Sequence, residues 1–223
     1  MIDCGADWLG AVKHIAPTAI VLTHAHADHA AGLASGAPCP VYATGETWDA
    51  IRRFPISEKH RLPLNKACRI DGVEFTAVPV AHSIRAPAVG LRVAARGQCF
   101  FYVPDVAKLD NAARTLCGAQ IYIGDGATLT RSMVRRKGGT VIGHAPVTDQ
   151  LAWCRQAGIR RAVFTHCGSA IVRAEHQATN AKLWELGRKQ GVEARLACDG
   201  DQLYFPDPDE HIECAKSLLA LGS

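Results

Sequence analysis

No apolar run in the 223-residue chain approaches the ~18 consecutive residues needed to cross a bilayer. No basic-then-apolar leader opens it either. Both absences lead to the expectation of a cytoplasmic protein with no membrane partner. Strong charge of either sign is also missing. The formal net charge of +4 is mild and not clearly clustered, which argues against nucleic acid as the partner. Nine cysteines are present, an odd number, with no Cys-x-x-Cys pair among them. Structural zinc held by cysteines is therefore not expected. Several cysteines sit in strand-like runs such as Gln98-Cys99-Phe100-Phe101-Tyr102, the pattern expected of reduced, buried thiols in a cytoplasm rather than a disulfide framework. No repeat or low-complexity segment breaks the chain. Its apolar share of 48% is enough to bury a sizeable core in one domain.

What the chain does have is His24-Ala25-His26-Ala27-Asp28-His29, directly after the apolar run Ala19-Ile20-Val21-Leu22-Thr23. Four potential metal ligands fall within six residues at the end of a predicted buried strand. Residues two apart in an extended segment point the same way, so His24 and His26 can converge on one cation. Asp28 and His29, past the turn, can reach a second. Asp28 is also placed to cap a helix over 29–33. Imidazole with carboxylate suits zinc, iron or manganese better than calcium, which prefers oxygen alone.

Along the chain, Ile2 to Gly5 reads as the tail of a strand, and Asp7 to Ile15 as a short amphipathic helix with Trp8, Leu9, Val12 and Ile15 on its apolar face. Cys39 to Ala43 is a predicted strand. Thr44 to Phe54 is a predicted helix N-capped by Thr44 and ended by Pro55. Residues 56–65 read as polar loop containing a solvated His60. Asp71-Gly72 joins strands 69–70 and 73–80, and Arg96-Gly97 joins 88–94 and 98–103. Strands over 119–124 and 161–165 then alternate with helices over 147–157 and 175–189, the pattern of a layered α/β domain spanning 1–205. Residues 206–223 open with Pro-Asp-Pro-Asp and form an expected C-terminal appendage. Three further candidate ligands, His82, Asp105 and His166, each follow a predicted strand. Singly, each has another reading, as a satisfied terminal histidine or a helix cap.

The His24–His29 string, followed in order by His82, Asp105 and His166, resembles the ligand series of the metallo-β-lactamase superfamily, whose members are mostly hydrolases. The resemblance implies an αβ/βα four-layer sandwich, here without the first N-terminal strands that members usually carry, either because the start is misassigned or because the chain is a shortened form with a sheet edge to be covered. It implies two divalent metal ions, zinc being expected and manganese or iron also fitting. His24, His26 and His82 would hold the first, and Asp28, His29 and His166 the second, with Asp105 bridging. Two such ions at about 3.5–4 Å would share a bridging water of lowered pKa, a hydroxide nucleophile at neutral pH. Aspartate rather than cysteine at 105 sets the chain apart from the β-lactamases that use a cysteine ligand.

The order Gly143-His144-Ala145 before Phe164-Thr165-His166 is similar to the phosphodiesterase branch, which includes the transfer-RNA 3′-processing endonucleases and the cyclic phosphodiesterase of phosphonate breakdown. That likeness implies catalytic roles for His144, as proton donor to the leaving group, and for Asp125, as its orienting partner, beside Asp28. From the residues alone, His144 is equally a capping or core histidine and Asp125 a turn residue before Gly126. Asp199-Gly200 resembles the branch's C-terminal hairpin turn. The endonucleases' long arm between the residues matching His82 and Asp105 is replaced here by a tight hairpin, which favours a small ester over transfer RNA. The cysteine-rich zinc site of the cyclic phosphodiesterase has no counterpart. Arg131, Arg135, Arg136 and Lys137 either meet an anionic substrate or form a solvated face. The expected function is a dinuclear small-molecule phosphodiesterase. The alternatives are a lactonase or thioesterase on the same site and a non-catalytic metal binder, and a homodimer is the candidate assembly.

Overall fold

Ile20 and Leu22 pack in one hydrophobic cluster, and Val21 between them packs in another. That is the two-residue period of a strand with apolar material on both faces. Phe100, Phe101 and Tyr102 divide the same way, the outer two facing one cluster and Phe101 facing a third. Two sheets whose strands bury both faces require four layers, and the computed structural model, which describes residues 1–205, has them. The appendage expected at 206–223 lies outside the described residues.

The chain runs through α1 (Val12–Ile15), β1 (Ile20–Val21), α2 (Ala27–Ala30), β2 (Val41–Ala43), α3 (Gly45–Ala50) and β3 (Lys59–Arg61). Four strands follow, β4 (Ala67–Ile70), β5 (Val73–Val80), β6 (Ala88–Ala95) and β7 (Gln98–Tyr102). Then come α4 (Ala112–Leu116), β8 (Ile121–Asp125), β9 (Arg135–Lys137), β10 (Thr140–Ile142), α5 (Val147–Gln156) and β11 (Arg161–Thr165). The described chain closes with α6 (Ser169–Val172), α7 (His176–Lys189) and β12 (Glu193–Leu196).

The small sheet has the order β1-β2-β3, all parallel, with Ile2 bridged to Val21 at its β1 side. The large sheet has the order β12-β11-β8-β7-β6-β5-β4. It is parallel from β12 to β7 and antiparallel from β7 to β4. Val21 and Leu62 meet Phe75, Ala77, Val89 and Leu91 between the sheets. Outside the small sheet, Ile20, Leu22, Val41 and Ala43 pack on Val12, Leu33 and Ile51. Outside the large one, Phe101, Tyr122 and Phe164 pack on Leu116, Leu151, Cys154 and Leu183. The result is the αβ/βα sandwich.

The two hairpin turns form as their residues require. Asp71 and Gly72 have φ of 47° and 81°, and Arg96 and Gly97 have 51° and 78°, the doubly left-handed turn that matches strand twist. Elsewhere the local pattern misleads. The helix expected over 7–15 is a 3-10 turn (Ala6–Trp8) and a single α turn, separated by Gly10 at φ 76°. Only Val12 of its apolar positions is buried, while Trp8, Leu9 and Ile15 stay exposed. The helix over 44–54 keeps its Thr44 cap, which accepts from Thr47 N at 3.3 Å, but ends at Ala50. The loop over 56–65 contains β3, because pairing with β2 satisfies its backbone despite its polar side chains. His60 there is exposed and stacks on Tyr42, with ring centroids 4.7 Å apart. Asp199-Gly200 forms no hairpin among the described residues; β12 instead pairs parallel with β11. All eight described cysteines are free thiols, but only Cys4 and Cys154 are buried.

Leu91 is fully buried between the sheets. Leu91→Ala should therefore cost about 2–5 kcal/mol, read as a lower urea midpoint at unchanged slope; a loss within about 0.5 kcal/mol would show that the inter-sheet layer is not tightly packed.

Candidate metal centre

Every candidate side chain sits just past the end of a strand or in the turn that follows. His24 lies three residues beyond Val21, and Asp28 and His29 lie in α2 behind it. His82 follows β5 and Asp105 follows β7, while Asp125 closes β8, His144 follows β10 and His166 follows β11. His166 itself has φ 51°, a left-handed turn that breaks away from the strand direction. Strands of both sheets thus end at one place. The chain's ligand candidates, up to 142 residues apart in sequence between His24 and His166, meet there.

Two groups form. His24, His26, His82 and Asp105 bring one ligand atom each to within 4.8 Å of one another, and so do Asp28, His29 and His166. In the first, His26 Nδ1 is 3.0 Å from His24 Nε2 and 3.2 Å from His82 Nε2. Asp105 Oδ2 is 3.2 Å from His24 Nε2 and 3.9 Å from His82 Nε2. Tetrahedral ligands about 2.0–2.1 Å from a zinc ion lie about 3.3 Å apart, so the spacing fits one cation. In the second group Asp28 Oδ2 is 3.1 Å from His166 Nε2 and 3.6 Å from His29 Nε2. Asp105 faces both groups. Its Oδ2 is 2.8 Å from His29 Nε2, and its Oδ1 is 3.3 Å from His166 Nδ1.

Hydrogen bonds at the far ring nitrogens decide which way each lone pair points. His29 Nδ1 donates to Asp3 Oδ2 at 2.8 Å, and His82 Nδ1 donates to the Gly143 carbonyl at 3.2 Å. Thr23 Oγ1 donates to Asp3, so it accepts from His24 Nδ1 at 3.0 Å. In all three rings Nε2 is then left bare toward the centre. Among the described residues, the buried side-chain atoms without a hydrogen-bond partner include His29 Nε2, both oxygens of Asp105 and His166 Nδ1. A bare nitrogen 2.8 Å from a carboxylate oxygen is repulsive unless positive charge lies between them. The donor set and its orphaned atoms fit divalent cations.

Proton affinities report the same demand for positive charge. Burial works against a charged His29, but the neighbouring carboxylates of Asp105 and Asp3 prevail and push it up to about 10. Burial would likewise raise Asp105, yet His24 and His29 hold it far below the usual carboxylate range. His82, deep in the wall, is pushed down to about 4 by desolvation despite Asp105.

Beside this pair of groups stands His144, whose Nδ1 donates to Asp125 Oδ2 at 2.8 Å. Asp125 is fully buried and also accepts from Val106 N at 3.0 Å and Ala127 N at 2.9 Å. His144 also lies with Asp105 and His166 in a third cluster of ligand-type atoms, its Nδ1 3.3 Å from Asp105 Oδ1. The shorter bond to Asp125 occupies that nitrogen and turns the ring away from a ligand role. Burial lowers and Asp125 raises the His144 pKa, with a net rise.

One expectation needs correction, and two residues escaped the sequence reading. Asp28 does not cap its helix; His26 occupies that position without a side-chain bond, and Asp28 faces His166 instead. Asp125 combines both readings given for it, accepting from His144 Nδ1 and, as a turn residue does, from Ala127 N. Asp3, which anchors Thr23 and His29, was hidden in a segment read only as strand tail. Gln150 accepts from Tyr122 OH and Asp125 N and donates to the carbonyls of Asp125 and Ala145, fixing the end of β8 against α5. Its signal was present: a glutamine on the buried face of a helix between Val147, Leu151 and Cys154. Asp3→Asn should weaken metal binding about 10–100-fold, measured by competition with a chromogenic chelator; unchanged affinity would show that the Asp3–His29 bond does not orient a ligand.

Solved structures share this fold at low sequence identity. The metallo-β-lactamase fold protein YhfI from Bacillus subtilis superposes with a TM-score of 0.69 at 15% identity, over 90% of this chain and 84% of that one. A diphosphatase from the PhnP family gives 0.63 at 21%, over 92% and 79%. Zn(2+)-bound PqqB from Methylobacterium extorquens gives 0.66 at 21%, over 92% and 82%. A sequence search of curated proteins finds no match. The model of the Beta-lactamase superfamily domain matches residues 1–167, a span that holds every residue of the centre from Asp3 to His166. The chain belongs to the β-lactamase superfamily.

Proposed function

We propose that the protein is a metal-dependent hydrolase of a small, anionic phosphodiester, with His144 giving a proton to the departing oxygen. The His144–Asp125 pair carries the reading. An alkoxide leaving from phosphorus needs a proton, and a histidine held by a buried carboxylate beside, but outside, the ligand groups is placed to supply one. Asp125 fixes Nδ1 as donor, so Nε2 is the nitrogen open to substrate. With its pKa raised, His144 keeps its proton to higher pH than a free imidazole. Its side chain is 20% exposed, enough for a substrate to reach.

His24, His26 and His82 would hold one cation and Asp28, His29 and His166 a second, with Asp105 between them. PqqB, one of the structural neighbours, is Zn(2+)-bound, which supports zinc. Bound there, divalent cations supply Lewis acidity and draw a nucleophile from water near neutral pH. Around them the chain's own residues hold tautomers, exclude bulk water from Asp105 and place the proton donor. The PhnP-family diphosphatase among the neighbours supports phosphorus rather than carbon as the centre attacked.

Bis(4-nitrophenyl) phosphate should be hydrolysed, activity should vanish on chelation, and zinc should restore it. Turnover of aryl acetates or lactones alone would overturn the reading in favour of a carbon esterase, and tight metal binding without any ester turnover would leave a binding protein. His144→Ala should lower kcat by about 10²–10⁴ for alkyl leaving groups and far less for 4-nitrophenolate; equal losses would remove the proton-donor role. Because Asp125 raises the His144 pKa, Asp125→Asn should move the alkaline limb of the kcat profile to lower pH, and a shift the other way would contradict the pairing.

A further inference from the structure

An amide side chain carries two donors and two lone pairs, and burying it is unfavourable unless all of them find partners. Gln150 is 0% exposed on the inner face of α5, among Val147, Leu151 and Cys154, where a leucine or methionine would pack without that demand. All four of its bonds are made. Oε1 accepts from Tyr122 OH at 2.8 Å and from Asp125 N at 3.0 Å. Nε2 donates to the carbonyls of Asp125 at 2.7 Å and Ala145 at 3.0 Å. Main-chain partners of both kinds fix which end of the amide is oxygen. Gly124 leaves room for the approach, since a Cβ there would stand 2.5 Å from Gln150 Oε1.

Three of these bonds end on Asp125 and on Ala145, the residue after His144, and they close a ring. Val106 N donates to Asp125 Oδ2 at 3.0 Å, and Ala145 N donates to the Val106 carbonyl at 2.6 Å. Ala145 O then accepts from Gln150 Nε2, and the same amide returns to the main chain of Asp125. Val106 follows Asp105, the carboxylate that faces both ligand groups. The ring therefore joins the segments of Asp105, Asp125 and His144. Apart from Asp125, Gln150 is the one side chain in it, and it alone comes from the helical layer. On the other side, His144 is held by main chain where the antiparallel ribbon of β9 and β10 ends: Met133 N donates to its carbonyl at 3.2 Å. Apolar contact between helix and sheet fixes distance only loosely, whereas hydrogen bonds fix direction as well.

We propose that Gln150 is a positioning residue for proton delivery, holding Asp125 and the Ala145 carbonyl at the separation that keeps His144 bonded to Asp125 and aimed at the leaving oxygen. Gln150 touches neither substrate nor metal, and its effect passes through Asp125 and His144. The proposal rests on His144 as the proton donor. The imidazoles of the metal groups are oriented independently, by Asp3, Thr23 and the Gly143 carbonyl. Loss of Gln150 should therefore separate proton delivery from metal binding. A shift of about 1 Å in a reacting group can cost about 10²-fold in rate.

Gln150→Met keeps the side-chain volume and removes all four bonds. Gln150→Glu keeps the shape but can donate to one of the two carbonyls at most, and only when protonated; it carries the comparison if Gln150→Met does not fold. Leu151→Ala, also fully buried on α5, reports what loosening the helix does by itself. Each zinc-loaded protein is assayed on bis(4-nitrophenyl) phosphate and diphenyl phosphate, alike in shape but releasing a good and a poorer leaving group. In the Gln150 variants kcat should fall about tenfold more for diphenyl phosphate, with KM and zinc affinity, read by chelator competition, unchanged. Leu151→Ala should affect both substrates alike. Equal losses in the Gln150 variants, or the same split in Leu151→Ala, overturn the proposal. The His144 Nδ1–H proton resonance, assigned by its loss in His144→Ala, gives a readout free of turnover. It should broaden by exchange with water in the Gln150 variants and stay sharp in Leu151→Ala; a signal as sharp in the Gln150 variants as in the parent refutes the proposal. If the parent cuts neither diester, or His144→Ala slows both equally, the proton-donor reading fails, and the resonance alone decides whether Gln150 positions the pair.

Discussion

A carboxylate with no donor of its own sits at the centre of this molecule. Asp105 is 2% exposed, both its oxygens lack hydrogen bonds, and a histidine nitrogen with no donor role lies 2.8 Å away. Such an arrangement is unfavourable in any folded protein unless positive charge enters it. The surroundings preserve the demand rather than relieve it. Asp3, Thr23 and the Gly143 carbonyl take up the outer ring nitrogens, so His24, His29 and His82 cannot turn their N–H groups inward. The fold holds its ligands in the orientation a cation needs before one arrives, and the ordering entropy is met by folding rather than by binding.

The sandwich makes this possible because both sheets direct strand ends to one edge. Side chains on short loops between buried strands have little freedom, and the parallel register of β7, β8 and β11 sets Asp105, Asp125 and His166 side by side. Gln150 then ties β8 to α5 with three hydrogen bonds, so Asp125 is held from the helical layer as well as from the sheet. His144 receives its position from two directions, through Asp125 on one side and through the foot of the basic ribbon on the other.

Much of the fold is legible residue by residue. Asp71-Gly72 and Arg96-Gly97 declare their hairpins because few pairs tolerate left-handed backbone at both positions. Arg161 to Thr165 declares a strand by its apolar run between charged and polar ends. Where the reading fails, a longer-range contact has overridden a local pattern. Lys59 to Arg61 is wholly exposed and polar, yet it becomes a strand because β2 offers it backbone partners. Trp8, Leu9 and Ile15 have helical spacing, yet Gly10 interrupts them and they remain at the surface. The ribbon of β9 and β10 gives no alternation, since β9 is wholly exposed and only Ile142 at its foot is buried.

The sequence by itself determined the donor types, their order along the chain and the strand ends on which they ride, because metal chemistry restricts residue identity and strands restrict direction. Only the tertiary structure decided which ring nitrogens face inward, that Asp3 and Gln150 hold residues of the centre, and that the foot of the β9–β10 ribbon closes on Gly143 beside it. Those are matters of hydrogen-bond partners and distances between segments far apart in sequence, and no local periodicity encodes them.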